Sequence, residues 1–308
     1  MDRTAEEPRD ILRESINILK QSPKIFILIT LTFIVPLSIA ILVHSLYFES
    51  LLNLVPIRHQ PHQWAKFYII QFFYIVILFI FSLLSTAAVV FTFASSYTSK
   101  PVSFTSTLTA IPRVFKRLFI TFLYASLLMI IYNAVFLGCL IGFIMSINAD
   151  DSTFLYISFV DLFFLFNVHI HVTAIWHLAS VVSVLESVYG LAAMKRSKKL
   201  LVGNTEPATA LVFLYMIICA VIVSIFRSVV MHGSTHRFLF RILAGGFLIV
   251  VLVVFNFIGL LTQCIVYYIC KSYHREKIDK GALHEHLGSY LGEYVLLQSS
   301  IEMGNVNI

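Results

Sequence analysis

Apolar positions along this chain gather into six long runs, about residues 25–48, 67–97, 118–147, 154–178, 208–230 and 242–270, separated by polar connectors. A helix needs roughly 20 apolar residues to cross the hydrocarbon core of a bilayer. A segment that is apolar on all sides satisfies its backbone in lipid only by becoming helical. The pattern therefore predicts an all-α bundle of six transmembrane helices over residues 1–280, with residues 281–308 as a cytoplasmic tail. The second run holds no formal charge between Phe67 and Tyr97. At about 1.5 Å per residue it reaches roughly 46 Å, so it tilts or protrudes.

Three amphipathic segments alternate with these runs. In residues 9–22, Leu12, Ser15, Ile16 and Leu19 share one helical face with charges opposite, the pattern of a helix lying in the membrane interface. Phe104, Leu108 and Ile111 form a second stripe, which Pro112 is expected to end. Val188 to Val202 is the third. A proline accompanies each (Pro23, Pro112 and Pro207), so the chain reads as three units, each an interfacial helix followed by a membrane hairpin. Pro36 predicts a kink in the first span. Gly138-x-x-x-Gly142 allows close helix approach in the third.

Composition strengthens this picture. Of 308 residues, 59% are hydrophobic and 12% charged, and the mean hydropathy is +0.89, outside the range of soluble domains. The net charge of +6 forms no stripe for nucleic acid, because the cations sit at the ends of apolar runs. The four borders formed by the N-terminus, connectors 2–3 and 4–5 and the tail hold 17 of the 22 Lys and Arg residues. Cytoplasmic loops are the ones enriched in these residues. Both termini and the amphipathic segments are thus expected on the cytoplasmic side of an endomembrane or plasma membrane. Cys139, Cys219, Cys264 and Cys270 lie inside apolar runs and read as small buried hydrophobes.

Ionisable groups inside the membrane are the candidates for chemistry. Asp161 enters the fourth span at a depth compatible with Arg227 in the fifth, and an ion pair between them would relieve both. His169 and His171 sit near mid-membrane on nearly opposite helical faces, one of them expected to meet Asn133, Asn167 or Asn256. Together these four residues define a candidate intramembrane polar site. Lys195, Arg196, Lys198 and Lys199 form a basic patch suited to anionic lipid headgroups. His59, His62, His232 and His236 are too loosely placed to define a metal site. No phosphate loop, nucleophile elbow or zinc-protease motif occurs, so no catalytic residue, metal or cofactor is assigned.

From Trp176 to Gly203 the chain carries Trp176-His-Leu-Ala-Ser-Val-Val-Ser-Val-Leu-Glu186, Tyr189-Gly-Leu-Ala-Ala-Met194, Ser197 and Gly203. With Asp10-Ile-Leu-Arg-Glu-Ser15, Ser22-Pro-Lys24 and Tyr290-Leu-Gly-Glu-Tyr294, these residues resemble a plant family of six-span membrane proteins of unknown function. More distantly, Glu186, Gly190, Ala193, Ser197 and Gly203 are similar to the membrane domain joined to some bacterial glycerophosphodiester phosphodiesterases, whose catalytic domain is absent here. The resemblance implies a fold and a membrane location but no substrate. Glu186 is expected to cap a helix or form a salt bridge at the cytoplasmic interface, and Gly203 to end the amphipathic helix. The function expected is that of a non-enzymatic scaffold or lipid-interacting membrane factor, with a possible protein partner through the tail. A small-solute or ion transporter using the polar groups of spans 3–6 is the alternative, and a membrane-embedded lipid enzyme the next.

Overall fold

A computed structural model describes residues 22–54, 61–98, 103–149, 152–231, 238–276 and 280–291, together with Arg13, Asn17 and Lys20. These last three are helical and exposed; apart from them and Ser22, the predicted interfacial helix over 9–22 lies outside the described residues. The helices are α1 (Pro23–Ile29), α2 (Val35–Leu54), α3 (Pro61–Tyr97), α4 (Phe104–Ala149), α5 (Ser152–Leu185), α6 (Leu191–Leu201), α7 (Thr205–Met231), α8 (Phe238–Tyr273) and α9 (Lys280–Leu291). No strand occurs among the described residues. Six stretches are long and apolar enough to cross a membrane: Pro23–Leu46, Ile69–Tyr97, Phe104–Ile147, Leu155–Leu185, Thr205–Val230 and Leu239–Tyr273. The chain is an all-α bundle of the multi-pass membrane class.

A single π-helical turn, Thr30–Ile34, joins α1 to α2. The extra residue in that turn sits just before Pro36, where the ring removes a backbone donor. Phe26, Ile29, Phe33 and Ile34 stay buried through it.

Helix α4 differs from expectation. Pro112 does not end the second amphipathic stripe; it lies inside one continuous helix of 46 residues. Losing one backbone bond is outweighed by packing, because Ala110, Ile111, Val114 and Leu118 on both sides of the proline are all buried in the core. Thr107 Oγ1 also meets Thr92 Oγ1 at 3.2 Å, tying this first turn to α3. At about 1.5 Å per residue α4 is far longer than a bilayer core. The predicted interfacial helix is thus the protruding start of the third span.

The boundary drawn at residue 280 also moves. Helix α9 belongs to the bundle, since Leu287 and Tyr290 join the main core cluster. Arg113 donates to the carbonyls of Ser289 (3.2 Å) and Tyr290 (2.8 Å), where α9 would otherwise leave carbonyls unpaired. The Tyr290 hydroxyl donates to Val184 O at 3.2 Å and accepts from Arg117 at 3.2 Å. Burial pushes the Tyr290 phenol above its ordinary value, against the opposing pull of Arg117.

The core is densest at the end where α3 and α5 finish, α4 and α7 begin, and α6 and α9 pack. That end is called the basic end below. Toward the opposite end α4 and α5 expose wide apolar faces, including Ile130, Leu137, Met145, Tyr156 and Phe163. Deeper in the bundle, Asn256 of α8 donates to Ser38 Oγ of α2 at 2.8 Å and accepts from the Tyr215 hydroxyl of α7 at 2.6 Å. Gly259 makes room for this chain, since a Cβ there would lie 2.8 Å from the Tyr215 ring. Asn256→Leu removes the partner that both hydroxyls share. It is expected to lower stability in detergent micelles by about 1–2 kcal/mol, and Tyr215→Phe by less, read as thermal midpoints.

Candidate functional site

The residues that carry the sequence resemblance meet where α5 turns into α6. Helix α5 ends at Leu185, and the turn back places Gly190 at φ 63°, ψ −136°, a conformation open mainly to glycine. Its N–H donates to Thr121 Oγ1 of α4 at 2.8 Å. Helix α6 then folds back along the last turns of α5, with Ser197 Oγ donating to Ile175 O at 2.8 Å. Ala193, Ser197, Leu200 and Leu201 face inward and are buried. Gly203, at φ 88°, follows the end of α6 and sits against Tyr273. The apolar face of α6 thus packs on protein, which is where it differs from an interfacial helix with its apolar face in lipid.

Glu186 anchors an ionic cluster at this corner. Its carboxylate receives Arg196 Nε at 3.0 Å and the Tyr267 hydroxyl at 3.0 Å, with Lys271 Nζ at 3.7 Å. Arg196 also reaches Glu276, through Nη1 at 2.9 Å and through a second bond from Nη2. One guanidinium thereby links α6 to the end of α5 and to the segment after α8. Arg196 hydrogen bonding holds the Glu276 carboxyl below the usual carboxylate range. The bonds from Glu276 and Glu186 in turn raise Arg196 further above its already high value. Two anions face two cations, so the cluster is balanced.

The basic patch therefore divides. Arg196 turns inward and is consumed by carboxylates, while Lys195, Lys198 and Lys199 stay exposed on the outer face of α6.

The intramembrane candidates do not come together. Asp161 is exposed on the outer surface of α5, and no ion pair among the described residues joins it to Arg227, which is half-buried on α7. The predicted pair fails on azimuth: Asp161 shares its face with Phe164, turned away from the bundle. His171 is exposed. His169 is half-buried against Tyr132 of α4, ring centroids 5.1 Å apart, and its Nδ1 has no hydrogen-bond partner among the described residues. Among the described residues no hydrogen bond joins either histidine to Asn133, Asn167 or Asn256: Asn167 donates to its own helix at Phe163 O, and Asn256 is bound as described above. His59, His232 and His236 lie outside the described residues, and among the described residues no three metal-ligand side chains gather.

Beside this corner a slot of about 190 Å³ opens between α5, α7 and α8, with His177, Tyr215 and Gln263 among its lining. Neither His169 nor His171 lines it, and its wall is mostly apolar.

Residues 56–306 match the family described as Domain of unknown function (DUF8558). The chain belongs to this family. The DUF8558 region takes in α3 to α9 and with them the whole corner, the ionic cluster and the slot. No curated protein matches the chain, and no solved structure matches it. Sequence reasoning missed Thr121, Tyr267 and Glu276 as parts of the corner. Their signal was weak, since each is an ordinary polar residue at the end of an apolar run.

Proposed function

We propose that this protein is a non-enzymatic, lipid-interacting membrane factor that presents a cationic surface to anionic headgroups. The observation that carries the reading is the division of the basic patch. A patch used only for packing or ion pairing would engage all four cations. Here one is spent on the Glu186–Glu276 cluster, and Lys195, Lys198 and Lys199 are held outward on a helix whose position is fixed by that cluster. In this reading both termini and the basic end face the cytoplasm, within an endomembrane or the plasma membrane, because anionic lipids are concentrated on that leaflet. In the same reading the tail is the part that meets a protein partner. The shared Glu186, Gly190, Ala193, Ser197 and Gly203 pattern supports kinship with plant six-span proteins and, more distantly, with the membrane domain joined to bacterial glycerophosphodiester phosphodiesterases. The apolar wall of the slot beside His177 favours lipid contact over passage of an ion or polar solute.

Each exposed lysine near an anionic surface contributes about 1 kcal/mol. Replacing Lys195, Lys198 and Lys199 by glutamine is therefore expected to weaken retention of phosphatidylserine or phosphatidylinositol by about a hundredfold. Lipids retained on the purified chain after a phosphatidylcholine wash, quantified by mass spectrometry, give the measurement. Unchanged retention of anionic lipid in the triple variant overturns the reading.

A further inference from the structure

The slot between α5, α7 and α8 plays no part in the ionic cluster. Along α8 its lining runs from Val266 to Phe255, a length of about 16 Å. Leu201 of α6 stands at the basic end, and Ile218 of α7 lies at the deep end. Leu214 and Ile258 on its rim are 54% and 48% exposed, so it opens sideways onto the apolar outer surface. A molecule reaching it comes from the bilayer. For scale, an apolar cavity of about 150 Å³ holds a benzene ring. A larger body fits here with its remainder in the side opening.

What makes the slot selective is its few polar groups. The Tyr215 hydroxyl is bound to Asn256, and Thr262 Oγ1 donates to Ile258 O at 2.9 Å. The His177 ring stacks on that of Trp176, and among the described residues neither His177 nor Gln263 makes a hydrogen bond. His177 stands eight residues before the end of α5 and Gln263 ten before the end of α8, so the two sit at similar heights, nearer the basic end than Ile218 and Phe255. Among the described residues no lysine, arginine, aspartate or glutamate lines the slot. A charged headgroup would lose its water there with no counter-charge. A neutral imidazole and a carboxamide each offer a donor and an acceptor, and a hydroxyl group, itself both, answers them.

We propose that this slot binds a membrane lipid whose apolar body ends in one uncharged hydroxyl group, with the hydroxyl at His177 and Gln263 and the body directed toward Ile218 and Phe255. Sterols and diacylglycerols share that chemistry. The site is independent of the lysine patch on α6, and the test separates the two.

The full chain is reconstituted in phosphatidylcholine nanodiscs with one of three photoreactive probes: a diazirine sterol, a diazirine diacylglycerol, or the same sterol with its hydroxyl methylated. Labelled peptides are then mapped by mass spectrometry. Labelling within 174–178 or 255–266 by either hydroxyl probe, competed by its unlabelled parent, is expected, and the probe that labels identifies the source. Methylation of the hydroxyl is expected to reduce labelling about tenfold, as is the double substitution His177→Phe with Gln263→Leu. Leu211→Trp, at an exposed rim position that leaves the helix ties intact, is expected to block labelling by filling the mouth. The triple lysine-to-glutamine variant is expected to label as the parent does. Equal labelling by the methylated sterol, full labelling of the double variant, or no labelling within these peptides overturns the proposal.

Discussion

Replacing Arg196 by methionine is expected to lower the stability of the bundle by about 2–3 kcal/mol, although the substitution keeps most of the apolar stem. Removing one partner of a buried ion pair costs about 3–5 kcal/mol, because the other charge is left without compensation. Here the side chains of Arg196, Glu186 and Glu276 are 29%, 17% and 35% exposed, and water screens part of the loss. Arg196→Lys retains the charge but loses the fork that spans two carboxylates, and is expected to forfeit about half as much. A cycle with Glu186→Gln isolates the pair, since both residues contact each other directly. Independent, additive losses in that cycle would contradict the shared cluster.

The same contact sets a pH response. Glu276 has a depressed value in the folded protein because Arg196 donates to it. Its stabilisation is complete above the unfolded carboxylate value of about 4.3 and is lost as pH falls through the lower folded value. The thermal midpoint of the parent is expected to drop on acidification into this range, and that of Glu276→Gln to drop less. Identical acid profiles would remove Glu276 from the account.

Gly190→Val is expected to have an effect of similar size, about 3 kcal/mol. Holding a residue with a side chain at this positive φ costs about 1–3 kcal/mol. A Cβ at Gly190 also approaches Ile120 at 3.3 Å and Tyr124 at 3.4 Å, and valine's branches add to that crowding. Gly203→Ala looks worse on distance alone, since its Cβ would overlap the Tyr273 ring. Tyr273 is 59% exposed, however, and its ring can turn away. The milder loss is therefore expected at Gly203, in unfolding followed by tryptophan fluorescence. If Gly203→Ala proves the more damaging, the corner is held from the α6–α7 side instead.

The six membrane-length helices were legible because a continuous apolar run has one backbone solution in lipid. Glu186 and the glycines were legible because an acid and two flexible residues around a basic helix describe a turn that must be braced. The partnership of Asp161 and Arg227 failed for a definite reason. Sequence gives depth along a helix at a fixed rise per residue, but azimuth depends on how neighbouring helices are rotated, and Asp161 faces outward. Pro112 misled because a local rule about one missing hydrogen bond competes with burial of the four apolar residues around it. The slot was invisible because its lining comes from four helices, and no single one shows a polar stripe. Helix α9 was obscured by its mixed sequence of histidine, glutamate and leucine, and its place is given by distant partners: Arg113, Arg117, Val184 and the core around Leu287.

Docking of α9 has a temporal consequence. Residues 280–291 leave the ribosome after the six membrane-length helices described above, yet they pack on α4, whose protruding start is synthesised far earlier. Arg113 and Arg117 must therefore wait, hydrated and without these contacts, until the late segment arrives. A nascent bundle is thus held in an unfinished form during synthesis, and this corner closes only when the late segment arrives.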